Sequence, residues 1–152
     1  MEIYRERLSP TPWLFVATAL LIPASLLVFL PISMVAGVVA AVVSYGLAVV
    51  ILLVTTPRLT VTETEFVAGR ARLPREVVGE VSAHRGADAT LQRGRELDAR
   101  AWLLIRGWIS PVVKVRLVDE TDPTPYWLVS TRRPDELVAA LTAAPAAAAP
   151  AD

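Results

Sequence analysis

Residues 8–57 read LSPTPWLFVATALLIPASLLVFLPISMVAGVVAAVVSYGLAVVILLVTTP and contain no Lys, Arg, Asp, Glu or His. About a quarter of the residues in an average soluble domain are charged, so an uncharged stretch of this length is foreign to that class. As a single helix it would extend roughly 75 Å, whereas the hydrocarbon core of a bilayer is about 30 Å thick. The stretch is therefore predicted to fold back once, as a transmembrane helical hairpin.

Pro31 marks the expected turn, because proline removes a backbone donor and disfavours helix at the residue before it. The hairpin at residues 12–56 would then contain spans at about 12–30 and 33–56, each long enough to cross. One alternative is a buried helix pair inside a soluble protein. Another is a secretory signal peptide, since small residues at 17–19 resemble a cleavage site, but the apolar run is too long and a second one follows.

The arginines predict the orientation of the hairpin. Arg5 and Arg7 precede the first span, several arginines follow the second from Arg58 onward, and the short turn between the spans has none. Basic residues accumulate on the cytoplasmic side of membrane proteins. We therefore expect a multi-pass protein of the cell membrane with both termini in the cytoplasm and residues 1–11 forming a cytoplasmic N-terminal segment.

Small residues recur every four positions in the second span, at Ala36, Ala40, Ser44 and Ala48. Small side chains at this spacing let helices approach closely in lipid. The face they form could pack against the first span, which Pro23 is expected to kink, or it could mediate self-association or contact a helix of another protein. Neither span contains Lys, Arg, His, Asp or Glu, so we expect no ion or proton pathway through the hairpin.

Residues 58–143 are predicted to form a cytoplasmic α+β domain. Alternating apolar residues and turn signals indicate about six antiparallel strands, one of them at residues 101–109, with a polar link at residues 86–98. Pro134 begins an amphipathic helix with Asp135 and Glu136 in its first turn. This order predicts a small pleckstrin-homology-like β-barrel closed by a C-terminal helix. The Ala/Pro tail at residues 144–152 is expected to be disordered.

Three segments together resemble one protein family: YRERL at residues 4–8, ARLP at residues 71–74 and DPTPYWLVSTRRP at residues 122–134. With the membrane hairpin, they are similar to the domain of unknown function 3093 family, small membrane proteins of actinobacteria. The resemblance covers nearly the whole chain apart from its tail. It implies an uncharacterised family, and it therefore implies no catalytic residue, cofactor or substrate.

The composition offers little chemistry. The chain has no cysteine and a single histidine, His84, and three or four ligands would be needed for a metal site. No serine lies in a nucleophile-elbow motif, and the glycine spacings are not those of phosphate loops. With equal numbers of acidic and basic residues, the chain shows no electrostatic signature of nucleic-acid binding. We expect no enzyme, no catalytic or metal site, no cofactor and no nucleic-acid partner.

Two groups remain as candidate interaction residues. Trp102, Arg106 and Trp108 have the same parity in the strand predicted at residues 101–109, which allows cation–π stacking; the tryptophans could instead fill the core or lie on the membrane surface. Arg132 and Arg133 precede the last helix and could bind an anionic lipid headgroup, or they could be ordinary surface charges near an anionic leaflet.

The predicted function is that of a non-enzymatic membrane protein whose hairpin, embedded in the lipid bilayer, tethers a cytoplasmic binding domain. Its expected partner is an unidentified protein or an anionic lipid headgroup. The alternative is a scaffold or assembly subunit that recruits another membrane protein through the small-residue face of the second helix.

Overall fold

The computed structural model describes residues 1–119 and 121–143, so the predicted tail at residues 144–152 lies outside the described residues. The chain divides into two compact units. A helical unit consists of Ser9–Thr56, and a β unit combines Met1–Leu8 with the chain from Pro57 onward. The β unit is therefore built from two chain segments, one that precedes the helical unit in sequence and one that follows it.

The helical unit contains three helices. They are α1 (Pro12–Thr18), α2 (Leu21–Phe29) and α3 (Met34–Val54). The break between α1 and α2 lies four residues before Pro23, which lacks the N–H that would bond to the carbonyl of Ala19. That carbonyl accepts from the Ile22 N–H at 3.0 Å instead. The interruption expected from Pro23 is thus present, while α3 begins at a Ser33 cap that accepts from the Ala36 N–H.

Two segments of this unit are long and apolar enough to span a membrane. Pro12–Phe29, which comprises α1 and α2, has 18 residues and a mean hydropathy of 2.1; Met34–Val54 has 21 residues and a mean hydropathy of 2.7. In the most apolar 18-residue stretch of each segment, 0% of the first and 11% of the second is buried. The predicted pair of long apolar helices is confirmed, and their side chains mostly face outward.

The first sheet of the β unit is antiparallel, with strands in the order β1-β2-β3-β4. Its strands are β1 (Glu2–Arg7), β2 (Arg58–Thr62), β3 (Glu65–Ala68) and β4 (Ala71–Pro74). β1 and β2 lie on opposite sides of the helical unit in sequence, yet Arg7 is paired with Arg58 and the Leu8 N–H donates to the Pro57 carbonyl at 3.1 Å. Residues 1–8 thus supply an edge strand of the β unit, a role that the sequence reading did not give them.

The second sheet has the order β5-β7-β8-β6. Its strands are β5 (Val78–His84), β6 (Trp102–Leu104), β7 (Val112–Leu117) and β8 (Tyr126–Ser130). The expectation of antiparallel strands alone is wrong here, because β6 runs parallel to β8. The segment predicted as a polar link also contains a helix, α4 (Gly86–Arg93).

One core joins the two sheets and the last helix, α5 (Pro134–Thr142). Leu59, Val61 and Phe66 of the first sheet are fully buried, as are Val113, Val115 and Val129 of the second. Leu137 and Leu141 of α5 enter the same core. The predicted architecture is confirmed at this level: two long apolar helices, β-sheets and a C-terminal helix.

Candidate functional site

The predicted aromatic candidates lie mainly in or against the core. Trp102 in β6 stacks on Trp127 of the neighbouring β8, with ring centroids 4.2 Å apart. Trp127 in turn packs on Phe66 at 6.0 Å, which connects the two sheets. The half-buried Trp102 therefore extends the core of the β unit, as the alternative interpretation of this residue had it.

Arg106 and Trp108 do not share a strand with Trp102, because β6 ends at Leu104. The prediction of one strand over residues 101–109 is wrong, since the chain turns there and the Ile109 N–H donates to the Arg106 carbonyl at 2.9 Å. Arg106 and Trp108 nevertheless form a cation–π pair, with the guanidinium carbon 5.9 Å from the ring centroid. The Arg106 backbone N–H donates to Ser130 Oγ at 3.0 Å, which joins this turn to the end of β8.

Arg133 connects β1 to the start of α5. Its Nη2 donates to the Arg5 carbonyl at 2.7 Å, its Nη1 lies 2.8 Å from Glu136 Oε2, and its guanidinium lies 4.9 Å from the Tyr4 ring centroid. Arg132 makes a similar connection, since its Nη1 contacts the Arg7 carbonyl at 3.5 Å. Both predicted residues thus contact the backbone of the N-terminal strand.

Glu6 is a buried carboxylate at the centre of this contact, with 6% of its surface exposed. It accepts from the Tyr4 hydroxyl at 2.7 Å, from the Thr131 hydroxyl and from the Arg132 backbone N–H at 2.9 Å. Buried charges are stable only where hydrogen bonds replace their hydration. We call Tyr4, Glu6, Thr131, Arg132 and Arg133 the Glu6 cluster; it fixes β1 to the loop before α5.

Tyr4 is held in its neutral form within the Glu6 cluster. Burial raises the pKa of its hydroxyl, and the neighbouring Glu6 carboxylate raises it further, while the hydrogen bond with Thr131 acts in the opposite direction. Desolvation disfavours the charged phenolate, and a nearby negative charge does the same. The cluster therefore retains the Tyr4 proton well above the pH at which an exposed tyrosine ionises.

The sequence contains a signal for the Glu6 cluster that its interpretation missed. Tyr4 and Glu6 of β1 and Leu8, which follows it, alternate inward, as in any strand with one buried face. A glutamate at the inward position interrupts the apolar alternation, so the pattern does not look like a strand. The first and last segments of the family resemblance, residues 4–8 and 122–134, contain all five residues of the cluster.

Arg75 is a second buried charged residue that the sequence reading did not single out. Its Nη2 donates to the Leu141 carbonyl at 3.0 Å and to the Ala143 carbonyl, and its Nη1 contacts the Thr62 carbonyl at 3.4 Å. The last carbonyls of a helix have no intrahelical partner and carry its negative dipole end. Arg75, which directly follows β4, therefore caps α5.

The small-residue face of α3 packs on α2. Gly37 and Ala41 are buried, and a Cβ at Gly37 would lie 3.4 Å from the Leu26 side chain. Ser44 is 3.2 Å from Ser25, a hydrogen bond that links the two helices. Beside this line lie the half-buried residues predicted for helix packing, Ala36, Ala40, Ser44 and Ala48. The helix α2 thus occupies the face of α3 that was a candidate for recruiting another protein.

The first sheet has a basic end and an acidic end. Arg7 and Arg58 form its last pair before the helical unit, and the β3–β4 turn that carries Arg70 lies beside them, because the Gly69 N–H donates to the Arg58 carbonyl at 2.8 Å. All three arginines are exposed, and none has an ion pair with a described carboxylate. At the other end lie Glu2, Glu63 and Glu65.

Six other exposed arginines of the β unit do have carboxylate partners, whereas the exposed Arg95 has none among the described residues. The pairs are Arg5–Glu2, Arg72–Glu65, Arg85–Asp135, Arg100–Asp98, Arg116–Glu80 and Arg133–Glu136. The contrast matters because the chain as a whole has no net charge at neutral pH. Arg7, Arg58 and Arg70, which we call the basic edge, concentrate positive charge where the chain enters and leaves the helical unit.

A hydrogen-bonded chain of Ser82, His84 and Asp88 connects β5 to α4. Ser82 Oγ lies 2.9 Å from His84 Nε2, and His84 Nδ1 lies 2.6 Å from Asp88 Oδ2. Nucleophilic serines use this order of groups, but catalysis also needs donors placed for a developing oxyanion. His84 thus has a carboxylate partner that the sequence reading did not find. Within residues 1–119 and 121–143, no cluster of three potential metal ligands occurs.

Comparison with known proteins gives one match. A family model described as "Protein of unknown function (DUF3093)" matches residues 3–141, which is most of the chain. No curated protein and no solved structure matches. The matched region begins in β1 and ends in α5, so it contains the Glu6 cluster, the helical unit and both sheets.

Proposed function

We propose a function for this chain, which belongs to the DUF3093 family: it is a two-span, non-enzymatic protein of the cell membrane that holds its β unit on the cytoplasmic surface. The hairpin anchors the chain in the membrane, and the β unit is attached to both ends of the hairpin. The β unit binds anionic lipid headgroups of the same leaflet through the basic edge.

The observation that carries the proposal is the pairing of β1 with β2. The two strands flank the helical unit in sequence and hydrogen-bond in one sheet, so they lie on the same side of any membrane. That condition requires an even number of crossings, which matches the two spans. A signal peptide cleaved within the first span would take β1 away, and with it the buried Tyr4 and Glu6.

The outward direction of the apolar side chains supports a lipid environment. Trp13, Leu27, Val35 and Val54 are each at least 70% exposed. Soluble proteins do not leave apolar surfaces of this extent in water. A helix pair in the core of a soluble protein would instead be buried, which argues against that alternative.

The arginine distribution supports a cytoplasmic location for both termini. Basic residues immediately flank both outer ends of the hairpin, and the turn around Pro31 has none. Each cationic side chain near an anionic leaflet contributes roughly 1 kcal/mol of attraction. Together, the three side chains of the basic edge favour an orientation of the β unit in which that edge faces the leaflet.

The order of elements supports a pleckstrin-homology-like fold for the β unit. A four-stranded antiparallel meander is followed by a second sheet and then by a helix that packs into the shared core. The parallel strand β6 belongs to the segment inserted between β5 and β7. In this proposal the hairpin is an insertion between the first two strands of that fold.

The alternative function, recruitment of a membrane protein through the small-residue face of α3, has less support. Gly37 and Ala41 on that face are buried against α2. A partner would have to displace α2 and break the Ser25–Ser44 contact. An unidentified protein partner of the β unit is the other possible ligand, and the experiment below separates it from lipid.

Hydrogen exchange of the full chain in nanodiscs tests the lipid assignment. Exchange at the Gly69–Arg70 turn is compared with exchange at the Glu63–Thr64 turn, in neutral phosphatidylcholine and in discs containing phosphatidylglycerol. We expect anionic lipid to slow exchange at the first turn only, and high salt to reverse the effect. Equal exchange in both lipids would contradict headgroup binding.

A matched set of variants separates the effect of the basic edge on lipid binding from the effect of net charge. The triple variant R7Q/R58Q/R70Q should lose the lipid effect, whereas R85Q/R100Q/R116Q, with the same loss of charge at paired arginines, should keep it. Equal loss in both would show that only total charge matters. Protection of the turn by a co-purified protein in neutral lipid would favour a protein partner.

The non-enzymatic assignment has its own test at Ser82. A fluorophosphonate probe reacts with an activated serine by displacement of fluoride, which leaves a phosphonate ester on Oγ. We expect labelling of the full chain to equal that of the S82A variant. Labelling that disappears in S82A would establish a reactive nucleophile and overturn the assignment.

A further inference from the structure

The turn between β6 and β7, at residues 105–109, begins beside the basic edge. A Cβ at Gly69 would lie 3.5 Å from the side chain of Pro57 and 3.7 Å from that of Leu104, the last residue of β6. Gly69 and Pro57 each directly precede an arginine of the basic edge. The end of β6 therefore meets the first sheet at its basic end.

A second set of contacts places the same turn there. Because β6 runs parallel to β8, the turn that follows β6 lies beside the residues that follow β8. The Arg106 N–H donates to Ser130 Oγ at 3.0 Å. Two residues after Ser130, Arg132 contacts the carbonyl of Arg7, a member of the basic edge, at 3.5 Å. This connection runs through β1, and it is independent of the one through Gly69.

A short connection keeps this end of the β unit close to the end of the second span. Pro57 follows Val54, the last residue of α3, by three positions. Three residues of extended chain reach at most about 11 Å. Pro57 therefore cannot lie farther than that from the end of α3.

The length of α3 converts this limit into a depth. With 21 residues, α3 is about 31 Å long and matches a hydrocarbon core of about 30 Å, and the headgroup layer adds about 5–8 Å on each side. Given the proposed membrane location, on which this inference rests, Pro57 and the neighbouring Leu104 lie in the headgroup layer or at its outer surface. The turn that follows Leu104 begins at that depth.

The side chains of the turn suit a surface of anionic headgroups. The guanidinium carbon of Arg106 lies 5.9 Å from the ring centroid of the half-buried Trp108, and Gly107 between them is exposed. Indole rings collect at the membrane–water interface, and arginine is attracted to anionic leaflets. Residues 99–118 contain four basic residues and no carboxylate. The charge around the turn is therefore complementary to that of the leaflet.

We propose that the turn at residues 105–109 is a second lipid-contact site, which binds anionic headgroups of the cytoplasmic leaflet beside the basic edge. The two sites belong to different sheets. A single edge lets the β unit tilt about it, whereas a second point on the other sheet removes that freedom. The two sites together fix which face of the β unit is turned to the membrane.

The absence of native cysteine allows a depth measurement at Gly107. A Cβ there would meet nothing within 4 Å, so the G107C variant should fold like the native chain. The full chain carries a nitrobenzoxadiazole fluorophore on G107C, in nanodiscs that contain phosphatidylglycerol and a lipid with a nitroxide quencher on its headgroup. The matched control is the same fluorophore on T64C, in the exposed turn at the acidic end of the first sheet.

We expect the headgroup nitroxide to remove most of the fluorescence at G107C and little of it at T64C. Equal quenching at the two positions, or none at G107C, would overturn the proposal. Carbonate extraction separates this failure from failure of the anchor. A chain that stays in the membrane with an unquenched G107C refutes the turn contact alone, whereas a released chain refutes the proposed membrane function as well.

The R106Q substitution in labelled G107C tests the attraction itself. Loss of one cation near the leaflet should weaken the contact roughly fivefold, so more phosphatidylglycerol is needed for half of the quenching. The matched control R100Q removes the same charge from an arginine that is paired with Asp98, and it should leave that requirement unchanged. Equal effects of R106Q and R100Q would contradict a contact made by the turn.

Discussion

The helical unit and the β unit both contain large apolar side chains, but the β unit buries them and the helical unit exposes them. In the β unit Leu59, Val61 and Phe66 are fully buried and the charged residues surround them. In the helical unit the small residues Gly37 and Ala41 are inside, and large side chains such as Leu27 and Val54 are outside. The two units therefore enclose different kinds of side chain, large apolar ones in the β unit and small ones in the helical unit.

The two units also differ in the polar side chains that they contain. The β unit buries Glu6 and Arg75, each within a set of hydrogen bonds that connects distant parts of the chain. The helical unit contains no ionisable side chain apart from Tyr45, and most of its hydroxyls bond to nearby carbonyls or across the helix pair. Buried charged side chains thus connect distant segments of the β unit, whereas small residues lie at the contact between the two helices of the helical unit.

The contrast in packing can be tested with matched truncations. F66A removes a fully buried ring from the β core and should lower its free energy of unfolding by about 3–5 kcal/mol. L27A removes an outward side chain of α2 and should change that value by less than about 0.5 kcal/mol. Urea unfolding in nanodiscs, followed by tryptophan fluorescence, measures both; equal effects would contradict the difference in burial between Phe66 and Leu27.

Removal of the Glu6 carboxylate tests whether buried charge fixes β1. E6A leaves donors of Tyr4, Thr131 and Arg132 without an acceptor and should cost about 2–3 kcal/mol. E63A, at an exposed ion pair with the N-terminus, should cost less than about 1 kcal/mol. The faster hydrogen exchange expected in β1 of E6A locates the effect; unchanged exchange there would show that the cluster does not hold the strand.

The cap of α5 should be somewhat less costly to remove. R75M keeps much of the apolar stem but loses the bonds to the carbonyls of Leu141 and Ala143, which we expect to cost about 2 kcal/mol. R72M, which loses an exposed ion pair, should fall within about 1 kcal/mol of the native chain. Denaturant midpoints compare the two, and a reversed order would remove the capping role.

Tyr4 should give the β unit an alkaline pH dependence. The unfolded tyrosine ionises near its usual pKa of about 10, and the folded one at a higher pH, so above that value the folded state binds more protons. The Tyr4 contribution is therefore complete below pH 10 and is lost as the pH rises further, by up to about 1.4 kcal/mol per pH unit. Y4F should flatten this slope; an unchanged slope would contradict the buried hydroxyl.

The sequence predicts those features that follow from local pattern. The uncharged stretch at residues 8–57 predicts two long helices, Pro31 predicts the turn, and Pro134 predicts the start of α5. The family resemblance is likewise confirmed by the match over residues 3–141. These features depend on composition and short-range spacing, which are visible in one chain.

The remaining features depend on contacts between residues far apart in sequence. β1 is stable only because β2, some fifty residues later, offers it a paired edge. Arg132 and Arg133 look like free surface charges until β1 is placed beside them. The parallel strand β6 and the helix α4 also escaped prediction, because a three-residue strand and an eight-residue helix carry little periodic signal.

Single-cysteine labelling tests the central claim, that β1 and β2 lie on one side of the membrane and the hairpin crosses it twice. An impermeant maleimide is applied to right-side-out and inside-out vesicles that contain I3C, I32C or T64C. We expect I3C and T64C to react only in inside-out vesicles, and I32C only in right-side-out vesicles. Reaction of I32C from the same side as T64C, or of I3C and T64C from opposite sides, would contradict the account.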